Sequence, residues 1–536
     1  MFKNMVKGLL GFSSKRLLGK KTSGQSQEKR PLAANFQANL QALRQVFNLC
    51  ADVVFRELMV DAEQPIKACV IFIGPLTDHE MIGKHLIKPL TRQTFDLPPG
   101  IKITKANAIE VLLNHVLNAA EANTTGDLTE LVNRVLEGNT ALVLDGSTAA
   151  IIAGLRGGAA RGVEEPDTEP VVQGPKDGFV ESLDTNISLL RRRLKTSRLK
   201  VEPFQVGVLT KTKVVVCYVK GIANDKVVTE VKQRIGRINM DSVLGSNYIE
   251  EMISDEAITL FPLIQYTERP DKTVASLVEG RVAVIADNSP MVLLAPATFV
   301  TLLQAAEDYY NNAFFATMIR LLRLIALNIA LLMPSVIVAL FSFHQAMVPT
   351  SLLTTATAAR EGLPFPIFVE VMIMELTFEL LREAGVRLPK TIGQTVSTVG
   401  GLVIGQAAVT AGIVSPISVI VVALTAIANF AIPNYAAGTT IRILRFALII
   451  LAGFLGGFGI MMGLMATLVH LCSLRSFGVP YLSPIAPLSV RDLKDTMIRA
   501  PWWSMQTRPR LFGAQEPVRQ DPDQGPAKPD RGGGGS

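Results

Sequence analysis

The chain has 536 residues, a formal net charge of +7, 49% hydrophobic residues and four cysteines. Cys50, Cys69, Cys217 and Cys472 form no close pair at metal-ligand spacing, which argues against a disulfide scaffold and a structural zinc site. The basic residues flank apolar segments without interleaved aromatics, so the charge reads as membrane topology rather than nucleic-acid binding.

Residues 1–34 form a basic tail with weak signal-peptide character, expected to be disordered or surface-associated, with the following domain on the cytoplasmic side. Residues 35–157 are expected to form a first α/β or α+β subdomain. Within it, Asn35–Met59 has helical spacing through Leu40, Leu43, Val46, Phe47, Leu49, Val53 and Val54. KACVIFIG (67–74) predicts a strand, DHEMIGKHLIKPL a helix starting at Asp78, and Ala106–Ala120 another helix. TTGDLTELVNRVLEG (124–138) predicts a helix capped by Thr125 or Asp127 and ended by Gly138, followed by the strand and turn NTALVLDGS.

Residues 158–199 read as an extended linker punctuated by Gly and Pro, then a helix over Ser182–Lys195. Arg191, Arg192 and Arg193 on that helix admit two readings: a solvated face, or contact with anionic lipid or a partner subunit. Residues 200–297 predict a second subdomain. Its elements are two strands turning near Lys211, a helix over VVTEVKQRIGRI, a short helix at Thr273–Leu277 ended by Gly280, the strand RVAVIAD, the turn DNSP and the return MVLLAP. No phosphate-binding glycine loop and no nucleophile–base set emerges, so neither an enzyme nor a cofactor is expected.

Residues 298–320 are expected to form an interfacial helix, with Tyr309, Tyr310, Phe314 and Phe315 preceding Arg320 and Arg323. A domain-packing helix is the other reading. Residues 321–474 predict a polytopic all-α membrane domain in which four, five or six spans fit; an even number with both ends cytoplasmic is favoured. Leu324–Phe341 holds 18 residues without a charge and Ala447–Leu474 holds 28.

His344 and Gln345 close the first span, and Pro349, Pro364 and Pro366 break helices after it. Glu370, Glu375, Glu379 and Glu383 lie on one helical stretch, the last three on one face. Such a face lines a water-filled space, pairs with basic groups, or lies at the interface. Residues 391–412 combine Gly400, Gly401 and Gly405 with Gln394, Thr398 and Gln406, the composition expected of a helix packed around a narrow channel. Residues 415–434 predict a conventional span or half of a hairpin. Gly453, Gly456, Gly457 and Gly459 weaken the last apolar stretch, so that it bends or turns back. Residues 475–511 read as a basic juxtamembrane segment anchored by Trp502 and Trp503, and residues 512–536 as a disordered tail.

Several long stretches together resemble the A subunit of bacterial spore germinant receptors, or its close sporulation-protein relative. They are EEPDTEPVVQGPKDGFVESLDTNISLLRRRLK (164–195), TERPDKTVASLVEGRVAV (267–284), AEDYY (306–310), FHQAMVPT (343–350), REGLPFPIFVEVMIMELTFELLREAGVRLP (360–389) and RSFGVPYLSP (475–484). The resemblance spans most of residues 40–510. It implies a multi-pass spore inner membrane protein with a two-part N-terminal cytoplasmic domain. It also implies a permease-like B subunit and a lipoprotein C subunit as partners, and a homo-oligomer, a pentamer, forming a nutrient-gated cation channel. Ala346 departs from the pattern, which carries an acidic residue after FHQ. Two rivals differ in class: a scaffold or transducer without its own pore, and a secondary transporter, for which no internal repeat is found.

Overall fold

The computed structural model describes residues 29–60, 65–91, 103–117, 119, 121–157, 165–166, 168–388, 403–510, 512–522 and 524–526. Helix α1 (Phe36–Val46) is capped by the Asn35 side chain and is followed by the hairpin of β1 (Val53–Val60) and β2 (Ile66–Ile73). The helical reading of Asn35–Met59 therefore holds only to Val46. Leu49 takes a positive φ of 61°, and VVFRELMV pairs along its whole length with β2. Cross-strand pairing overrides a spacing that fits a helix equally well.

Strand β3 (Ala122–Thr125), helix α2 (Leu128–Leu136), β4 (Thr140–Leu144) and β5 (Ala150–Ala153) complete an antiparallel five-stranded sheet of order β1-β2-β4-β5-β3. Asp127 caps α2, and Gly138 at φ +90° ends it. Strand β2 is apolar from Ala68 to Ile73, where both its faces are covered, and exposes only Lys67. Cys69, Ile71 and Ile73 enter one core with α1 and α2, while Ala68, Val70 and Phe72 enter another with the helical turns between His79 and Val116.

The second unit repeats this arrangement. Helix α3 (Leu183–Arg193) precedes β6 (Leu199–Val206) and β7 (Thr212–Val219), which turn at Lys211. Helices α4 (Asp225–Gly236) and α5 (Ser246–Ile253), strand β8 (Gln265–Thr267), helix α6 (Pro270–Val278), β9 (Val282–Ala286) and β10 (Val292–Ala295) follow. The sheet order is β6-β7-β9-β10-β8, the first order over again. The repeat reaches the residues: LEGNTALVLDGSTAAII (136–152) and VEGRVAVIADNSPMVLL (278–294) superpose Gly138 on Gly280 and Asp145 on Asp287, with Gly146 and Asn288 both at positive φ. The soluble region is thus a structural duplication, which the sequence reading missed.

Helix α7 (Ala313–Ser342) is long and apolar enough to cross a bilayer. It runs uninterrupted from Ala313, so the separate interfacial helix expected over 298–320 is instead two short helices, Phe299–Leu303 and Glu307–Tyr310, leading into α7. Helices α8 (Thr350–Ala358), α9 (Ile367–Arg387) and α10 (Pro416–Phe430) follow. The final apolar helix, α11 (Tyr435–Ser473), is broken by non-helical Gly456 at φ 60°, ψ −141°.

That break is a full reversal. An unbroken helix would hold Leu448 and Gly463 about 22 Å apart. Instead a Cβ added to Gly463 would stand 2.5 Å from Leu448 Cδ2 and 2.9 Å from Leu451 Cδ1, and one on Gly459 would stand 2.2 Å from the Leu451 carbonyl oxygen. The outer ends meet again beside one loop: Thr440 donates to the Leu260 carbonyl, and His470 Nε2 lies 3.1 Å from Thr259 Oγ1. α11 is therefore a helical hairpin with limbs 435–455 and 457–473. At about 32 and 26 Å, each limb approaches the roughly 30 Å thickness of a bilayer core.

The segment after α11 folds back on the second subdomain. Gln515 N donates to the Ile222 carbonyl (3.0 Å), Arg508 Nε to the Val278 carbonyl (2.8 Å), and Arg519 lies 3.6 Å from Glu279. The described part of the tail expected to be disordered is thus packed.

Because Gly463 has no space for a side chain, Gly463→Leu is expected to force the hairpin limbs apart. The overpacking costs about 1–3 kcal/mol, read as a lower midpoint of thermal unfolding in detergent. Gly236→Ala serves as the control, at a helical glycine with open space around it.

Candidate functional site

Two polar constellations stand out, one at the membrane entry and one among the membrane helices. The first is built from stretches far apart in sequence. Arg269, fully buried at the start of α6, donates to the carbonyls of Glu169 (3.2 Å) and Pro175 (2.9 Å) and pairs with Asp271 (2.8 Å). Glu169 accepts from Thr267 and from Lys272. Asp271 also accepts from the Tyr310 hydroxyl (2.6 Å), and Gly174, at φ +123°, lies against the Tyr310 ring, where a Cβ would approach to 2.8 Å. The linker is thereby held to α6 and to the helix that leads into α7.

The arginine run divides its work. Arg191 is buried and makes a two-pronged pair with Asp52 of the first subdomain (2.7 and 2.9 Å). Burial alone would lower its pKa, but the Asp52 carboxylate outweighs that and holds the guanidinium above its ordinary value. Arg192 reaches the Gly157 carbonyl (3.5 Å), and Arg193 pairs with Asp177 in the linker. The solvated-face reading and the lipid reading both fail for Arg191, which fastens the two subdomains. Beside it Ala51 N donates to the Val201 carbonyl (3.1 Å) and Val201 N to the Leu49 carbonyl (3.0 Å).

At the mouth of α7, Asp308 is buried and accepts from Arg320 (2.9 Å) and Arg323 (2.8 Å). Arg320 also pairs with Asp495 (2.9 Å), which accepts from the Tyr309 hydroxyl (2.8 Å). Arg499 N donates to Thr317 Oγ1 (3.1 Å). The arginines expected at lipid headgroups face carboxylates instead, and they tie the C-terminal segment to the first span.

The second constellation is a ladder between α9 and its neighbours. Glu370, with no exposed surface, pairs with Arg360 (3.1 Å) and accepts from Ser415 N (2.8 Å) and Ser418 Oγ (3.0 Å), so it closes the N-terminus of α10. Glu375 meets Arg445 (2.8 Å), and Glu379 meets Arg442. The order of the pairs makes α9 antiparallel to the first limb of α11. Arg382 sits 5.8 Å from the rings of Phe430 and Tyr435, and Glu383 pairs with Arg387 on the surface. The acidic face thus takes the basic-partner reading. The ladder is incompletely hydrogen-bonded among the described residues: both Glu375 oxygens, Glu379 Oε2, Arg442 Nε and Arg445 Nε have no hydrogen-bond partner.

On the opposite rim, His344 Nε2 accepts from Gly457 N (3.2 Å) and Phe343 lies against Gly456, so the end of the first span caps the hairpin turn. Gln345 donates to the Phe341 carbonyl (2.9 Å). Pro349 precedes α8, and Pro364 lies in the bend between α8 and α9. A Cβ on Gly405 would stand 3.4 Å from Val419 of α10. Gln394, Thr398, Gly400 and Gly401 lie outside the described residues. Among the described residues no group of three or more His, Cys, Asp or Glu is placed to hold a metal. Sequence reasoning missed Asp308, Arg269 and Arg445 as partners, although the spacing of Arg442 and Arg445 on one helix face complements that of Glu375 and Glu379.

A mixed α/β region joined by buried ion pairs to a helical region with two helices long and apolar enough to cross a bilayer is the architecture of a membrane-associated protein. The chain belongs to the GerA family: the model of Bacillus/Clostridium GerA spore germination proteins matches residues 41–511. It is 43% identical over 504 residues to spore germination protein KA of Bacillus subtilis (strain 168), covering 94% of this chain and 91% of that protein. It is also 43% identical over 497 residues to the uncharacterized membrane protein YfkQ of the same organism, covering 92% and 95%. To spore germination protein GerLA of Bacillus cereus it is 37% identical, covering 90% and 97%. The crystal structure of the N-terminal domain of the A subunit of the Bacillus megaterium spore germinant receptor GerK3 matches at 30% identity and TM-score 0.40, covering 51% of this chain and 98% of that one. The chain is a homologue of germinant receptor A subunits.

Arg445→Ala leaves Glu375 buried without its cation. Removing one partner of a buried pair costs about 3–5 kcal/mol, so the variant should unfold at markedly lower temperature in detergent. The double variant Glu375→Leu/Arg445→Met should recover most of that loss.

Proposed function

We propose that the chain is the A subunit of a nutrient-responsive spore germinant receptor, a multi-pass protein of the spore inner membrane. In this reading it assembles as a homo-oligomer, a pentamer, with a permease-like B subunit and a lipoprotein C subunit, and forms a gated cation path. Its N-terminal subdomains, the linker between them and the C-terminal segment lie on the cytoplasmic side. Six crossings are counted: α7, α9, the stretch 391–412, α10 and the two limbs of α11. Both termini then fall on one side, as the positions of Leu260, Thr440 and His470 favour.

The path is assigned to the glycine-rich stretch with Gln394, Thr398, Gly400, Gly401 and Gly405. The observation that carries the reading is the incompletely bonded Glu375–Arg445 and Glu379–Arg442 ladder on α9, whose Met374 and Phe378 cluster with Ala408 and Val409. Paired carboxylates do not attract cations as a free acidic ring would, so Glu370, Glu375 and Glu379 are gating and packing groups rather than a selectivity filter. A buried polar network short of partners is a suitable two-state element, because a rearrangement that completes its hydrogen bonds competes with the resting one. His344, Gln345, Pro349 and Pro364 set the far rim, and Arg191, Arg192 and Arg193 set the subdomain geometry that feeds it.

The same neutralisation of the acidic face favours a second reading, a signal-transducing or scaffolding subunit whose pore lies in a partner. Cation flux into liposomes separates the two. The channel reading expects flux from the purified chain, alone or with its partner subunits and germinant, changed at least tenfold by Gly401→Leu in protein of unchanged oligomeric mass. A clean oligomer without flux under any of these conditions assigns the path elsewhere.

A further inference from the structure

The two subdomains share one strand order but are closed in different ways. In the first, the chain leaving β5 runs directly into a groove between the end of α2 and the turn after β2. There Gly157 N donates to the Leu76 carbonyl (3.0 Å). Arg156 lies against Gly138, where an added Cβ would stand 3.8 Å from Arg156 Cγ and 3.4 Å from the Leu76 carbonyl oxygen. Gly157 packs on Asp78, the cap of the helical turn that follows.

The matching groove of the second subdomain lies between Gly280 and Ile222. The chain leaving β10 does not enter it. Ala297 N donates instead to Ser476 Oγ (3.0 Å) and Phe299 N to the Tyr481 carbonyl (2.9 Å), on the way to α7. The groove is filled by residues that come after the last apolar helix. Gln515 N donates to the Ile222 carbonyl (3.0 Å). Ala514 lies against Gly280, where an added Cβ would stand 3.2 Å from Ala514 Cβ and 3.2 Å from the Ile222 carbonyl oxygen. Gly513 packs on Asn224, the cap of α4. Ala514 and Gln515 thus take the places of Arg156 and Gly157, in the same chain direction.

The seat reads side chains as well as backbone. Gly280 leaves room for a small residue only. The Gln515 carboxamide donates to Asp225 at the start of α4 (2.6 Å), and Phe512 lies over the buried Arg281 guanidinium (5.8 Å). Arg508 donates to the Val278 carbonyl (2.8 Å) and folds the segment on itself through the Glu516 carbonyl (2.8 Å). Main-chain bonds for affinity with side-chain seats for selectivity are the means by which proteins bind extended peptides. In the first subdomain only Gly154 and Leu155 separate β5 from the groove. In the second the occupant arrives from beyond the membrane helices and is held by non-covalent contacts alone.

We infer that the groove between Ile222 and Gly280 is a peptide-binding site whose ligand is the C-terminal segment Phe512–Glu516 with Arg508. The second subdomain is closed by this separable strap and not by the continuation of its own strand. The partner it fits is a peptide with two small residues followed by glutamine, preceded by phenylalanine and arginine. Release of the strap uncovers one backbone carbonyl and the N-terminus of α4, which water bonds in its place, so the sheet stays whole.

The test is fluorescence anisotropy of a labelled synthetic peptide of residues 506–522, added to the full chain in detergent. Ala514→Trp is too large for the space beside Gly280, and Gln515→Pro lacks the donor to Ile222. Each change in the chain is expected to release the strap, read as faster hydrogen exchange in residues 512–519. Both variants should then bind the peptide at least tenfold more tightly than the unaltered chain, whose groove is occupied. A peptide that itself carries Ala514→Trp should bind at least tenfold more weakly. Equal binding to the unaltered chain and the variants, no binding once the strap is released, or a strap that stays protected in both variants would each overturn the proposal.

Discussion

An arginine or lysine taken out of water must be paired or fully hydrogen-bonded, and where parts of this chain join, the partner is most often a carboxylate. Asp52–Arg191 fastens the two subdomains, Glu169–Lys272 the linker to the second, Arg320 with Asp308 and Asp495 α7 to the C-terminal segment, and Glu375–Arg445 α9 to α11. Such pairs add little net stability compared with apolar packing, but removing either partner is heavily penalised. They therefore specify which surfaces meet rather than how tightly.

This placement gives the chain a continuous series of ion pairs from its mixed α/β region to its helical region. The stretches that carry the resemblance to germinant receptor A subunits do not scatter over the fold. Those at 164–195, 267–284 and 306–310 converge where the linker, α6 and the entry to α7 touch, through Glu169, Arg269, Asp271, Asp177 and Tyr310. FHQAMVPT lies at the opposite rim, where His344 caps the hairpin turn at Gly457.

Much of the soluble fold was legible because its signals are local. The apolar run in β2, the Asp127 cap with Gly138, and the turns at Lys211 and Asn288 need only neighbours in sequence. Asn35–Met59 misled because its apolar spacing fits a helix as well as a strand, and only pairing with β2 decides. The duplication shows in sequence only as the short EG…D.S pattern shared by residues 136–152 and 278–294, and the common strand order makes it plain. In the membrane part the glycines foretold a break in the last helix, but whether it bent or reversed depended on Gly459 and Gly463 meeting the other limb. The acidic face was visible, whereas its arginine partners lie 60 to 70 residues later, roughly, and no spacing rule in one helix can reach them.

The central claim is that the ion pairs at the mouth of α7 bind the soluble region, the first span and the C-terminal segment into one mechanical unit. Hydrogen–deuterium exchange of the full chain in detergent, with and without Asp308→Asn, tests it most directly. The account predicts faster exchange in residues 306–323, in the C-terminal segment around Asp495 and Arg499, and in the linker around Val172 and Gly174, all together. Faster exchange confined to residues 306–323, with the other two segments unchanged, would contradict it.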